Sequence, residues 1–229
     1  MDTSRARGNI LRRIRSLQRR PEEISPAERA RVTDYLEQHP CGPRQRLPAD
    51  LKPHFRALAE KMASTVDEVA RFADAPAAVA RYLAAQGLAP AAVAWPALDH
   101  LDWAGAGLAV EFRSLQRGPA QGADATGITG CYCALAETGT LVLRSGARTP
   151  AATHLLPETH IALVAASRIV ADMEAAFALM RGELGGAAAM LPRALNMVSG
   201  PSRTGDIEQT IVLGAHGPFR VHIIVASDE

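Results

Sequence analysis

Apolar positions in the first sixty residues recur with the spacing of helices. Ile10, Ile14 and Leu17 fall at i, i+4 and i+7, one face of a helix that Pro21 ends. Ser25-Pro26-Ala27-Glu28 is a capping box with proline at the first helical position, so a second helix runs from there to about Gln38. Residues 39–50 carry His39-Pro40-Cys41-Gly42-Pro43 at one end and Pro48-Ala49-Asp50 at the other, and read as a loop. Phe55, Leu58, Ala59 and Met62 return to helical spacing. Residues 1–63 are therefore expected to form a helical N-terminal arm, with residues 64–229 as a separate domain.

Beyond the arm the pattern changes to short apolar runs alternating with helices. Asp74-Ala75-Pro76 opens a helix with Val79, Tyr82 and Leu83 inward, closed by Gly87. Val93-Ala94-Trp95 is a short strand stopped by Pro96, and Gly107–Glu111 is another. Thr140–Leu143, Ile161–Val164 and Val221–Val225 follow the same pattern. Residues 171–181 form an amphipathic helix with Met173, Phe177 and Met180 on one side. Apolar strands without clean alternation, separated by helices, indicate an α/β fold: a Rossmann-like, mainly parallel sheet with helices on both faces. Ligands in such folds sit at the carboxyl ends of strands, near a switch in strand order.

Composition narrows the function classes. The chain is 48% hydrophobic and 21% charged, as soluble globular domains are, and its formal net charge of +1 argues against nucleic acid as a partner. No stretch has the length of a membrane span. Arginines crowd the start (Arg5, Arg7, Arg12, Arg13, Arg15, Arg19, Arg20), but no apolar core follows them, so a secretory signal is not expected. Three cysteines cannot close a disulfide framework, which fits a reducing cytoplasm. They also fall short of the four thiolates of a usual iron–sulfur cluster. Cys131-Tyr132-Cys133 lacks paired histidines nearby, so no metal site is expected.

Two polar stretches carry the candidate chemistry. From Ser199 to Glu208 the chain offers three hydroxyls (Ser199, Ser202, Thr204), one fixed cation (Arg203) and two carboxylates (Asp206, Glu208). Gly200, Pro201 and Gly205 make the backbone tight and irregular. Hydroxyls, backbone N–H groups and a guanidinium suit an anionic ligand. The same residues also read as a turn opening a helix, with Thr204 as N-cap and Asp206 and Glu208 in the first turn. Upstream, Glu137-Thr138-Gly139-Thr140 sets an acid, two hydroxyls and a glycine at the mouth of a strand, or stabilises a turn there. Arg203 has the planar fork that grips a carboxylate, unless Asp206 or Glu208 takes it. His216, in Gly214-Ala215-His216-Gly217-Pro218, has the chemistry of a general acid or base near neutral pH. His160, just ahead of a strand, reads as a capping or core histidine. No G-x-G-x-x-G loop is present, so the chain alone is not expected to carry out a hydride transfer.

Four ordered blocks carry a resemblance. They are Ala136–Leu143, Leu156–Ile161, Ser199–Glu208 and Gly214–Pro218, and in order and spacing they resemble the LUD-domain family, in particular its lactate utilisation C group. The likeness covers about residues 60–229, and the Arg-rich start also resembles the arm of that group. The resemblance implies a fold similar to the sugar-phosphate isomerase and CoA-transferase superfamily. It also implies a role in bacterial oxidation of L-lactate to pyruvate beside two companion proteins, which are expected to carry iron–sulfur clusters. This chain, without cysteines for a cluster, is then expected to hold no cofactor of its own. Its part would be that of a non-redox subunit or accessory factor, with a small anionic ligand. Two other readings stand beside it: a transferase or isomerase acting on a CoA ester or sugar phosphate, and a small-ligand-binding regulatory module. Some CoA transferases of the related fold use a glutamate followed closely by glycine, which makes Glu137 a candidate nucleophile. Glu137 and His216 are thus the catalytic candidates. Thr138, Gly139, Thr140, Ser199, Gly200, Ser202, Arg203, Thr204, Asp206 and Glu208 are the ligand-binding ones.

Overall fold

The computed structural model describes residues 3–21, 23–115, 125–185, 192–207 and 210–228. Contacts divide the chain into two units, Met1–Arg44 and Gln45–Glu229. In the first, α1 (Ser4–Leu17) and α2 (Pro26–Gln38) form where the helical spacing placed them. The Ser25 hydroxyl accepts from the Glu28 N–H at 3.1 Å, and Arg20 lies 3.6 Å from Glu28. Neither helix buries a single residue.

The second unit begins with α3 (Leu51–Lys61), whose Asp50 cap accepts from the Lys52 N–H at 3.2 Å. Phe55 and Ala59 of α3 are fully buried in the core of this unit. The sequence spacing was helical, as expected, but α3 groups with the α/β unit and not with the arm expected over residues 1–63. Periodicity shows that a helix has an apolar face; it does not show which core takes that face.

Six strands make the main sheet: β1 (Thr65–Arg71), β2 (Ala91–Ala94), β3 (Ala109–Phe112), β4 (Thr126–Gly130), β7 (Thr159–Ala165) and β12 (Arg220–Asp228). Between β1 and β2 lies α4 (Ala75–Ala85). Between β4 and β7 come β5 (Cys133–Leu135), β6 (Thr140–Arg144) and α5 (Ala152–Leu155). The main-sheet order is β1-β12-β7-β4-β2-β3, and every pairing is parallel. The chain moves outward from β2 to β3 and then inward from β4 to β7, so its direction reverses between β2 and β4. β7 is flanked on both sides and nearly every position in it is buried, which explains its unbroken apolar run.

The register shows that both faces are covered. Val221 pairs with His160 and His222 with Ile161, so His160 and His222 project to opposite faces. His222 stacks on Tyr82 of α4, with ring centroids 3.8 Å apart. His160 meets His154 of α5 on the other face, at 5.9 Å. Gly127 of β4 lets α5 come this close, because a Cβ there would collide with the Thr153 carbonyl.

A second sheet of order β8-β5-β6-β9 is built from β5, β6, β8 (Ile169–Val170) and β9 (Leu195–Val198), with only the β5–β8 pairing parallel. It packs against α6 (Met173–Leu184), which Asp172 caps through the Ala175 N–H at 2.8 Å and Gly185 closes with φ of +81°. β10 (Arg203–Ile207) and β11 (Thr210–Leu213) form an antiparallel hairpin. The fold is thus α/β, but with mixed sheets. Thr140–Leu143, expected in the one parallel sheet, lies in the second. The helix with Thr204 as N-cap does not form; Thr204 pairs with Val212 in the hairpin. β-branched Ile207, Thr210, Ile211 and Val212 favour strand over helix there.

Three histidines are buried and neutral. Burial pulls His154 and His222 down to about 4, and burial followed by neighbouring His154 pulls His160 to about 3. The His160 Nε2 meets the Thr129 hydroxyl and the His222 Nδ1 the Thr65 hydroxyl, each at 2.8 Å. Above pH 6.5 these groups are neutral in both folded and unfolded chains. Below it the unfolded chain takes protons that the folded one refuses. Stability should therefore fall from pH 6.5 towards pH 4, at up to about 1.4 kcal/mol per pH unit for each histidine. Glu68 and Glu183, held low by ion pairs, add to the loss only below their ordinary value near 4.5. Urea unfolding at a series of pH values measures this, and His222→Gln should flatten the slope. A flat profile down to pH 5 would contradict it.

Candidate functional site

The two polar stretches do come together. Thr138 Oγ1 and Thr140 Oγ1 are 2.7 Å apart, and Thr140 Oγ1 is 2.7 Å from Ser199 Oγ. Gly139, at φ of +66°, presses against the Leu58–Ala59 backbone of α3, where a Cβ would collide with the Ala59 nitrogen. Gly200, at φ of +81°, sits in the same way against the Met62 carbonyl, and Arg203 donates to that carbonyl. The hydroxyls thus bond one another, and Arg203 caps the carboxyl end of α3. Positive φ combined with backbone where a Cβ would sit leaves room for glycine alone at these two positions.

The remaining candidates fall around this junction. The Ser202 N–H donates to the Pro218 carbonyl, and the Gly214 N–H to the Ser202 carbonyl, each at 2.9 Å. These bonds bring the Gly214–Pro218 loop beside the turn, with His216 exposed on it. Thr204 is buried in β10. Glu137 is half-buried, and its N–H donates to the Ala171 carbonyl at 2.9 Å. Asp206 is placed as a position in β10, and Glu208 lies outside the described residues. Met62 comes three residues before β1, and Pro218 two before β12. The junction therefore stands at the amino ends of the parallel strands, the edge opposite to the one where open α/β sheets hold ligands.

The carboxyl edge has a cleft of about 510 Å³. Phe72 and Ala73 reach it from just beyond β1, and Gly130 and Cys131 from the end of β4. Leu163, Ala165 and Arg168 come from β7 and the short 3-10 turn after it, and His100 and Leu101 from the segment after β2. It lies at the reversal of strand order between β2 and β4, with a mostly apolar lining and a few polar groups, as ligand sites have. Neither Phe72, His100 nor Arg168 stood out in the sequence. Phe72 was hidden because β1 reads as polar, and His100 lies several residues past the legible strand at Val93–Trp95. Arg168 was within reach, since it follows closely on the legible run Ile161–Val164.

Arg168 heads a charged cluster at the rim. Its Nη1 is 2.5 Å from Glu183 Oε1, and Tyr132 donates its hydroxyl to Glu183 Oε2 at 2.9 Å. The guanidiniums of Arg144 and Arg168 lie 4.7 and 5.6 Å from the Tyr132 ring centre. Arg168 above all holds the Glu183 carboxyl below its usual range, while burial and then Glu183 push Tyr132 up to about 12. Arg144 and Arg168 thus both pack on Tyr132, while Glu183 bridges Arg168 and the Tyr132 hydroxyl.

The cysteines are held as thiols. Cys131 Sγ donates to the Cys133 carbonyl at 2.8 Å and to the Val142 carbonyl at 3.5 Å. Burial pushes the Cys131 thiol far up and Cys133 to about 11. Metal ligation and nucleophilic attack both need the thiolate, which this setting disfavours. Among the described residues no group of three or more His, Cys, Asp or Glu side chains is placed to share a metal ion. Among the same residues no helix is long and apolar enough to cross a membrane.

Comparison with known proteins gives three findings. A family model described as LUD domain matches residues 53–226. The chain is similar to lactate utilization protein C of Geobacillus kaustophilus (strain HTA426), 41% identical over 96 residues, covering 41% of this chain and 39% of that protein. It is also similar to lactate utilization protein C of Bacillus subtilis (strain 168), 39% identical over 102 residues, covering 44% of this chain and 42% of that protein. The match spans about two fifths of the length of these relatives. A crystal structure of a DUF162 family protein from Deinococcus radiodurans superposes with a TM-score of 0.53 at 25% identity, covering 80% of this chain and 100% of that one.

The glycine contacts generate a prediction. Gly139→Ala and Gly200→Ala should each lower stability by about 2–4 kcal/mol, because strain at positive φ adds to collision with the α3 backbone. Arg203→Lys, which loses the Nη2 donor to the Met62 carbonyl, should lower the melting temperature modestly. Calorimetric melting of the three variants measures this; unchanged transitions for both glycine variants would refute the α3 buttress.

Proposed function

Because the chain belongs to the LUD-domain family, we propose that it serves a bacterial system oxidising L-lactate to pyruvate as a non-redox subunit or accessory factor. It works in the cytoplasm beside two companion proteins that carry the iron–sulfur clusters, and it binds a small anionic ligand. The reading is carried by the similarity to relatives named for lactate utilisation. The non-redox part is supported by Cys131 and Cys133, whose burial keeps them protonated. We assign the anionic ligand to the carboxyl-edge cleft, with Arg168 as the cation. The Ser199–Arg203 turn and Thr138–Thr140, the first candidates for that role, touch the end of α3 through Gly139, Gly200 and Arg203. We take the fold to be related to the sugar-phosphate isomerase and CoA-transferase superfamily, which accords with the parallel sheet and its reversal of strand order.

Deleting the gene should abolish growth on L-lactate as sole carbon source and leave growth on pyruvate intact. Complementation with a gene carrying Cys131→Ala and Cys133→Ala together should restore it, because neither thiol transfers electrons. Normal growth of the deletion strain would remove the proposed role. Growth restored by the unaltered gene but not by the double variant, with the variant protein present and folded, would remove its non-redox part.

A further inference from the structure

We infer that the carboxyl-edge cleft takes a ligand with a flat apolar body and one terminal anionic group, larger than a three-carbon acid. The inference rests on the cleft being the ligand site proposed above. Size argues first. Lactate has six non-hydrogen atoms; at about 30 Å³ per water-sized group they need roughly 180 Å³. The cleft holds about 510 Å³, in the range of sites that bury much larger molecules. A lone three-carbon acid would leave most of it to water.

The walls argue next. Phe72 and Leu101 present apolar surface from two separate parts of the sheet edge, with buried Leu163 behind them. Burying a flat apolar body against them is favourable in proportion to the apolar area removed from water. Gly130 at the end of β4 supports the same reading. It is not among the glycines with positive φ, and a Cβ there would stand 3.8 Å from the Trp95 ring, an ordinary contact. Neither backbone strain nor crowding requires glycine at this position. What its missing side chain leaves is room at the floor of the cleft.

Among the residues that line the cleft, the fixed cation is Arg168. Arg168 and Arg144 both lie over the Tyr132 ring, and Arg168 pairs with Glu183, so guanidinium donors gather on this side. A guanidinium has five donors in a rigid fork, and its Nη1 already meets Glu183. A ligand anion would join or replace that carboxylate. The apolar body would then extend towards Phe72 and Leu101.

The probe is anilinonaphthalene sulfonate, which joins a flat apolar body to one anionic group, titrated into the full-length protein by its fluorescence. One saturable site is expected. The uncharged phenylnaphthylamine, and the probe with Arg168→Gln, should each bind roughly ten- to a hundredfold more weakly, as expected for a lost charge-assisted bond. Ala73→Glu, an exposed position at the rim, should weaken the probe at least as much. Glu183→Gln should bind it as tightly or more tightly, since it removes a competitor and keeps the cation. If Glu183→Gln loses as much as Arg168→Gln, the cation acts only through its ion pair and the assignment falls. Equal binding by the Ala73→Glu variant, with its melting transition intact, would put the probe elsewhere and overturn the site. Displacement of the probe by L-lactate at comparable affinity would overturn the size argument and leave the lactate role standing. Growth of the deletion strain on lactate would remove that role without touching probe binding.

Discussion

The structure depends on one constraint: β7 and β12 run parallel at the middle of a sheet and must be covered on both faces. A parallel pair leaves no backbone group for water at its centre, so neighbours are needed on every side. β1 and β4 supply them in the plane, α4 and α5 above and below. His160 and His222 are drawn into this packing at adjacent registers and pushed to opposite faces. Each takes a threonine hydroxyl on one ring nitrogen, and each loses basicity through burial. The same packing makes the core neutral and ties its stability to pH.

A parallel sheet has two unlike edges, and this chain treats them differently. At the amino edge the Ser199–Arg203 turn, the Thr138–Thr140 hydroxyls and the end of α3 close on one another with glycines at the points of contact. This is a joint. At the carboxyl edge the connections diverge where strand order reverses, and divergence leaves a cleft between them. Residues that look alike as a list of polar groups thus differ in what they can do. Those at the joint bond one another, while at the other edge Arg168 pairs with Glu183 and still lines the cleft.

Around the cleft, the electrostatics are fixed by few groups. Cys131 lines it but donates its proton to backbone carbonyls. Arg168, Arg144, Tyr132 and Glu183 make a rim held by contacts of both charge and ring face. Arrangements of this kind recognise anions and do not, by themselves, supply a redox group.

The sequence by itself determined the local elements whose signals are short-range. The Ser25 cap, the close of α4 by Gly87, the apolar runs of β7 and β12 and the α/β class all follow from neighbours a few residues apart. The four ordered blocks were legible as a family pattern for the same reason: order and spacing survive in one dimension. Only tertiary structure decided which core took α3, because an apolar stripe names no partner. Only tertiary structure made Thr204 part of a hairpin, since its pairing with Val212 depends on a second strand. It also decided that the most conspicuous polar blocks would meet at the amino edge, and that Phe72, His100 and Arg168 would meet at the other. Those three are brought together by strand order, a non-local property fixed by how β1, β4 and β7 pair, and no periodicity along the chain records it.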